Sequence, residues 1–164
     1  HSYAPIQLSR YVTTVANSGT CYDLTLIDQV KDVNGNVILD NHAKVRNKVN
    51  IANSTWKAVH NGMYRVVNGS RSSIGSMFSG MKVKIAGKTG TAQQSKLHAN
   101  HAYFVSYAPY KNPEISVTCV IPNGFTSSNA AQTARDVYKY YFSKNKKKVS
   151  GKIKMPESNT THTD

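Results

Sequence analysis

The stretch Gly87-Lys88-Thr89-Gly90-Thr91-Ala92 sets a lysine, two hydroxyls and two glycines at the end of a strand-like run, with a second such run following across a polar loop. A lysine in that position supplies a fixed cation, and a glycine lets another backbone come close. The bare Lys-Thr-Gly triplet is weak evidence, expected by chance in roughly a few per cent of chains this long, so its meaning rests on what surrounds it. Three Ser-x-x-Lys pairs also occur, Ser54 with Lys57, Ser79 with Lys82 and Ser143 with Lys146, each a formal nucleophile-and-base arrangement. All three have plainer uses, since Ser54 suits a helix cap, Ser79 lies in a loop and Ser143 borders a lysine-rich stretch. His98 and His101, with His1, His42, His60 and His162, invite a metal reading, but no Cys or carboxylate spacing completes a site. They are read as loop and strand-end histidines, and neither a metal nor a cofactor is expected.

The elements that must position these residues are legible from periodicity. Leu8, Tyr11, Val12, Val15 and Ala16 recur at helical spacing, with Pro5 suited to the first turn and Gly19 to the stop, which predicts a helix over 4–18. Leu24, Leu26, Asp28 and Val30 alternate up to Asn34-Gly35, and Val37 and Leu39 follow, which predicts a hairpin. A second helix is expected from a Ser54 cap to Asn68-Gly69, burying Trp56, Val59, Met63, Val66 and Val67. Residues 70–80 read as loop. From Met81 the period becomes two: Val83 and Ile85, then Tyr103, Val105 and Tyr107, then Ile115, Val117, Cys119 and Ile121. The short Pro109-Tyr110-Lys111-Asn112-Pro113 link makes the last two strands antiparallel, and Ser127 or Ser128 caps a final helix carrying Ala130, Ala134, Val137, Tyr138 and Tyr141. Tyr103 and Phe104 must face opposite sides, so at most one of them reaches the groove beside Lys88. Asn123-Gly124-Phe125 reads as a turn.

Composition bounds the rest. At 164 residues with 39% hydrophobic content the chain has room for one domain, and no apolar run approaches the ~20 residues of a membrane-spanning helix. Lys+Arg 21 against Asp+Glu 8 gives +13, an attraction for any polyanion that does not choose among them. Residues 144–164, with Lys144, Lys146, Lys147, Lys148, Lys152 and Lys154, read as a solvated, disordered tail. Cys21 and Cys119 match no zinc spacing, and the free form of both is favoured over a disulfide. The chain opens His1-Ser2-Tyr3 with no leader pattern, so it is read as a piece whose anchor, if there is one, lies upstream.

Four motifs in one order make a resemblance. Residues 2–10, Ser-Tyr-Ala-Pro-Ile-Gln-Leu-Ser-Arg, followed by Ala16-Asn17-Ser18-Gly19-Thr20, resemble a Tyr-x-Pro-x-Gln-Leu-Ala helix. Asn61-Gly62-Met63-Tyr64-Arg65-Val66-Val67 resembles a Gly-Met-x-x-Val-Val helix. Residues 86–93 resemble an Ala-Gly-Lys-Thr-Gly-Thr-Ala-Gln strand, and residues 101–109 its neighbour. Together these resemble the C-terminal half of the transpeptidase domain of class B penicillin-binding proteins, over roughly residues 2–142.

The resemblance implies an α/β (α+β-like) fold, an antiparallel sheet with helices packed on it, and a peptidoglycan D,D-transpeptidase acting through a serine acyl-enzyme. It implies catalytic roles for Lys88 and Thr91 and substrate contacts for Lys88, Thr89, Gly90 and Thr91. Lys88 would bond the Ser of a Ser-x-Asn element, Thr89 and Thr91 would hold the substrate carboxylate, and the Thr91 N–H would be half of an oxyanion hole. Ser127-Ser128-Asn129 imitates the Ser-x-Asn element but follows Lys88, where the family places that element before it. Nucleophile and second element are therefore assigned to an upstream segment, and this chain alone is expected to be inactive. The implied partners are stem peptides, β-lactams and the N-terminal half of the same domain, at the extracytoplasmic membrane face, with no specific nucleic acid. The family's sheet has five strands, two of them from the start of the domain, so three alone should expose a sheet edge and apolar surface. The alternatives are a noncatalytic penicillin-binding-like sensor and a basic polyanion-binding module in which Lys82, Lys84 and Lys96 join the tail.

Overall fold

A computed structural model describes residues 3–93 and 96–143; the stretch read as a tail lies outside the described residues. The centre is a three-stranded antiparallel sheet whose strands occupy Ala86–Ala92, His101–Ala108 and Ile115–Ile121. These are β5, β6 and β7, since four short strands precede them: β1 Thr20–Tyr22, β2 Gln29–Lys31, β3 Val37–Asp40 and β4 Val45–Lys48. Helix α1 spans Pro5–Ala16, α2 spans Asn53–Asn68, a 3-10 turn Gly75–Phe78 follows, and α3 spans Ser127–Tyr141.

The sheet's register decides which side chains share a face. Gly87, Thr89 and Thr91 stand opposite Ser106, Phe104 and Ala102, which in turn face Val117, Cys119 and Ile121. That face carries the main core: Phe104, Ala102 and Ala108 pack with Ala130, Ala131, Ala134 and Tyr138 of α3, and with Val67, Ile74, Phe78 and Ile85. Its one buried polar pair is internally satisfied, because the Tyr138 hydroxyl donates to Ser106 Oγ at 2.8 Å and Ser106 Oγ donates to the Val117 carbonyl. Gly87 is required there. A Cβ at that position would lie 2.6 Å from Phe104 Cζ, so the ring lies where any side chain on residue 87 would be. The opposite face, with Ala86, Lys88 and Gly90 beside Tyr107, Val105 and Tyr103, is covered by α1 only at one end, where Val12, Ala16 and Met63 meet Ala86 and Tyr107. A Thr13 to Ser116 hydroxyl contact of 2.8 Å ties α1 to β7.

Several expectations are met. Both hairpin strands form with Asn34-Gly35 between them, Asp32 taking the Asn34 and Asn36 amides. Helix α1 ends at Ala16 with Asn17 as its C-cap, short of the expected 18, and Gly19 follows at φ +99° under Trp56 and the Val49 carbonyl, a left-handed position that suits glycine. Cys21 and Cys119 are free. Trp56 is buried and Met63 is half-buried in the core.

Others are corrected. The strand expected from Met81 begins only at Ala86. Val83 and Ile85 do turn inward, but the backbone there bonds elsewhere: the Lys84 carbonyl accepts from Tyr110 N–H and the Ile85 carbonyl from Asn68 Nδ2. Ser54 does not cap α2, whose N-cap is Ala52, and α3 is capped by the Thr126 hydroxyl, which accepts from Ser128 N–H, rather than by Ser127 or Ser128. Tyr11 and Val137 of the expected stripes are exposed, at 64% and 41%, as is Val59 at 37%. The β1–β4 pair was not foreseen. Strands β2, β3 and β4 are exposed throughout, and Leu26, Val33 and Ile38 stand in solvent. Among the described residues no further strand pairs with either outer strand of the central sheet, so the expected open edge is present there and apolar surface accompanies it.

Two tests follow from this packing. Gly87→Ala should destabilise by about 1–3 kcal/mol through overpacking. Gly62→Ala, a helical position with nothing within 4 Å of the added carbon, should stabilise by about 0.5–1 kcal/mol. Urea unfolding of both variants reads the opposite signs. Burial pushes the Tyr107 phenol from 10.0 up to about 12. The folded chain then keeps a proton that the unfolded chain releases above pH 10, so this contribution to stability is intact below pH 10 and lost as pH climbs to about 12. Tyr107→Phe should flatten that alkaline decline and cost little at neutral pH, because the buried Tyr107 hydroxyl has no hydrogen-bond partner.

Candidate active site

The Lys-Thr-Gly triplet sits in the middle of β5 rather than at its end. Because successive side chains of a strand alternate in direction, Lys88 and Gly90 project to the face that α1 leaves open, while Thr89 and Thr91 project to the α3 face. The four residues therefore do not converge on one face. What they share is the edge of β5 away from β6, since the sheet order β5-β6-β7 leaves that edge without a strand among the described residues.

The Lys88 side chain is exposed and swings to its own backbone, where its ammonium donates to the Thr89 carbonyl at 2.7 Å. In an antiparallel strand the N–H and C=O of one residue point the same way, and the residue two along repeats that direction. The Thr91 N–H therefore points to the same side as the carbonyl that meets the ammonium, and a cation and an amide donor lie along one line. Gly90 opposes Tyr103, and a Cβ on it would come 3.3 Å from Tyr103 Cβ. This settles the Tyr103 and Phe104 alternative: Phe104 is fully buried under α3, and Tyr103 is the aromatic beside Lys88 and Gly90.

Helix α2 flanks the same edge from the other side. Met63 reaches the Ala86 face and Val66 and Val67 the α3 face, and Asn68 Nδ2 bridges the Tyr64 and Ile85 carbonyls. The C-terminal half of α2 thus stands beside Thr89, with Gly62 and Arg65 bordering it. Arg65 and Arg71 near Thr89 were missed by sequence reasoning; the available signal was the local excess of basic residues.

The other candidate residues fall elsewhere. Ser54 is exposed in the first turn of α2 with no capping bond, eight residues before Gly62 and so about 12 Å back along the helix. Ser79 closes the 3-10 turn. Ser143 is described, but Lys146 lies outside the described residues. Ser127 and Ser128 open α3, and Asn129 donates to the Gly124 carbonyl, so that triplet serves the helix start. His101 Nδ1 accepts from the Asn123 N–H, which anchors the Asn123-Gly124-Phe125 turn over Ala102, the residue opposite Thr91. Asn123 and Phe125 hold positive φ there, and Phe125 is 74% exposed.

Comparison with known proteins places this arrangement. The chain is 34% identical over 152 residues to penicillin-binding protein 2B of Streptococcus pneumoniae, covering 85% of the chain and 22% of that protein. The solved structure of that protein from strain R6 superposes with a TM-score of 0.75 at 32% identity, over 87% of this chain and 26% of the other. Peptidoglycan D,D-transpeptidase MrdA of Haemophilus influenzae is 40% identical over 103 residues, 54% of this chain and 16% of that protein. Pseudomonas aeruginosa PBP2, solved in complex with WCK 5153, superposes at a TM-score of 0.71 with 30% identity, over 87% of this chain and 31% of that one. The chain spans about a quarter of the relatives it matches. Residues 1–139 fit the family model of the penicillin binding protein transpeptidase domain, and since that span takes in α1, α2, the whole sheet and nearly all of α3, the chain belongs to the penicillin-binding protein transpeptidase family.

Proposed function

We propose that this chain forms one wall of the acyl-transfer cleft of a peptidoglycan D,D-transpeptidase, and that the attacking serine comes from a segment upstream of residue 1. The observation that supports the reading is the β5 edge that no described strand covers, with the Lys88 ammonium and the Thr91 N–H on one line.

The reaction splits one acyl transfer into two. A serine hydroxyl adds to the carbonyl between two D-alanines, its proton passes to a base, and the terminal D-alanine leaves with a proton; an amine of a second stem peptide then takes the acyl group and frees the serine. A β-lactam presents the same electrophile as a strained amide. A peptide laid along the edge of β5 pairs with its backbone as an added strand would, and Gly90, without a side chain, lets it approach. The hydroxyls of Thr89 and Thr91 bond its terminal carboxylate, with Lys88 adding positive potential and holding the Ser of the upstream Ser-x-Asn element. The Thr91 N–H donates to the oxyanion, an interaction worth about 3 kcal/mol of barrier. The upstream half also supplies strands for the sheet and cover for its exposed apolar surface, and the complete protein works at the extracytoplasmic membrane face.

Labelling with a fluorescent penicillin tests this reading. The chain alone should stay dark, and co-expression with its upstream half should restore covalent labelling that Lys88→Ala abolishes. Because Lys88 is exposed, that substitution should move the melting temperature little. Labelling of the isolated chain would overturn the assignment of the serine, and full labelling of the complemented Lys88→Ala protein would remove Lys88 from the chemistry.

A further inference from the structure

The outer edge of β5 is gripped at its start by a side chain. Lys84 and Ile85 lead into the strand, and their carbonyls are taken by two different elements. The Lys84 carbonyl accepts from Tyr110 N–H at 2.7 Å, on the side of the β6–β7 link, and the Ile85 carbonyl accepts from Asn68 Nδ2 at 2.8 Å. Carbonyl direction repeats at every second residue of an extended chain, so the Ile85 carbonyl points to the same side as that of Thr89, which meets the Lys88 ammonium, and as the Thr91 N–H. Asn68 therefore does for the first outward carbonyl what a neighbouring strand would do. Its own frame is well held. Asn68 closes α2, its Nδ2 also donates to the Tyr64 carbonyl at 3.0 Å, and the Tyr64 ring lies against Tyr110 with centroids 4.6 Å apart. Ile85, Ala86 and Gly87 are buried, so losing this donor leaves the Ile85 carbonyl in a stretch shielded from solvent.

We propose that Asn68 is a positioning residue of the acyl-transfer cleft, which sets the line of the outward β5 groups by holding the Ile85 carbonyl. The inference rests on the reading of the β5 edge as that cleft, and it adds a residue that acts through the strand and not on the substrate. Pairing with β6 fixes β5 along its inner edge; the Asn68 bond fixes the outer edge at the point where the strand begins. A misplacement of about 1 Å can cost about a hundredfold in rate, and the inner pairing limits the loss here to about tenfold. A primary amide suits the task, because its two N–H groups serve one carbonyl each. An ionised carboxylate of the same shape has no donor and faces two carbonyl oxygens.

The test uses the chain co-expressed with its upstream half and reads the rate of acylation by a fluorescent penicillin. Asn68→Ala should be acylated about tenfold more slowly than the wild type at every pH. Asn68→Asp should be as slow at about pH 8, where its carboxyl is ionised, and recover towards the wild-type rate at about pH 5, because burial raises the pKa of that carboxyl and its protonated form donates one bond. Thr13→Val, which removes the hydroxyl contact between α1 and the far strand β7, is the stability control: it should lower the melting temperature and leave the rate unchanged. Acylation of Asn68→Ala at the wild-type rate, or a rate of Asn68→Asp in constant ratio to the wild type across this pH range, would overturn the positioning role and leave the cleft reading standing. Equal slowing of Thr13→Val at the same loss of melting temperature would reduce the effect to stability and overturn it too. If Asn68→Ala does not fold, Asn68→Asp prepared at about pH 5 and shifted to about pH 8 carries the test alone. No labelling of the complemented wild type would sink the cleft reading, and this inference with it.

Discussion

Among the described residues, strand β5 pairs with another strand along one edge only, and the candidate chemistry depends on that asymmetry. A strand in the middle of a sheet spends every backbone N–H and C=O on its neighbours; a strand at the edge spends half and offers the rest. The remaining groups are useful as a binding line only if the strand is held still. Here the holding is done from the inner side: β6 pairs with β5 along its whole length, and Phe104 of β6 is clamped between Gly87, Phe78 and α3. The buried Tyr138 to Ser106 hydroxyl pair then fixes α3 against β6 without leaving either group unsatisfied.

Position along β5 also sorts the side chains. Lys88 and Thr89 are neighbours in sequence and point to opposite faces, yet the lysine's reach brings its ammonium back to the Thr89 carbonyl at the strand edge. A long flexible cation is the residue type able to do this, because its charge sits four methylenes from the backbone. The threonines, with short side chains, stay where the register puts them. On the proposed reading, the edge is where these groups meet a single extended ligand.

Charge and shape reinforce each other around that edge. A stretch free of acids surrounds β5, so its cations are not neutralised by neighbours in sequence, and salt bridges among the described residues lie away from it. An exposed lysine attracts an anion weakly in water; several unpaired cations flanking one groove raise the local potential together. Helix α2 serves both purposes, sealing part of the core with Val67 and presenting Arg65 beside Thr89.

The sequence by itself determined the helices, the β5-to-β7 strands in outline and the motif strand that names the family. Periodicity, the Asn-Gly turn and motif order are local signals, and burial amplifies them. It could not determine that β5 starts at Ala86, because the alternation of Val83 and Ile85 reports which way side chains point and not what the backbone bonds to. Nor could it choose Thr126 over Ser127 as the α3 cap, or foresee that Tyr11 stays in solvent, since several residues satisfy the same local rule and packing selects among them. Only the tertiary structure decided that Tyr103 and not Phe104 stands beside Lys88, that Lys88 and its threonines share an edge and not a face, and that Arg65 and Arg71 come to Thr89. Each of those depends on strand register or on contacts between residues far apart in the chain, and such distances are created by folding and written nowhere in a local pattern.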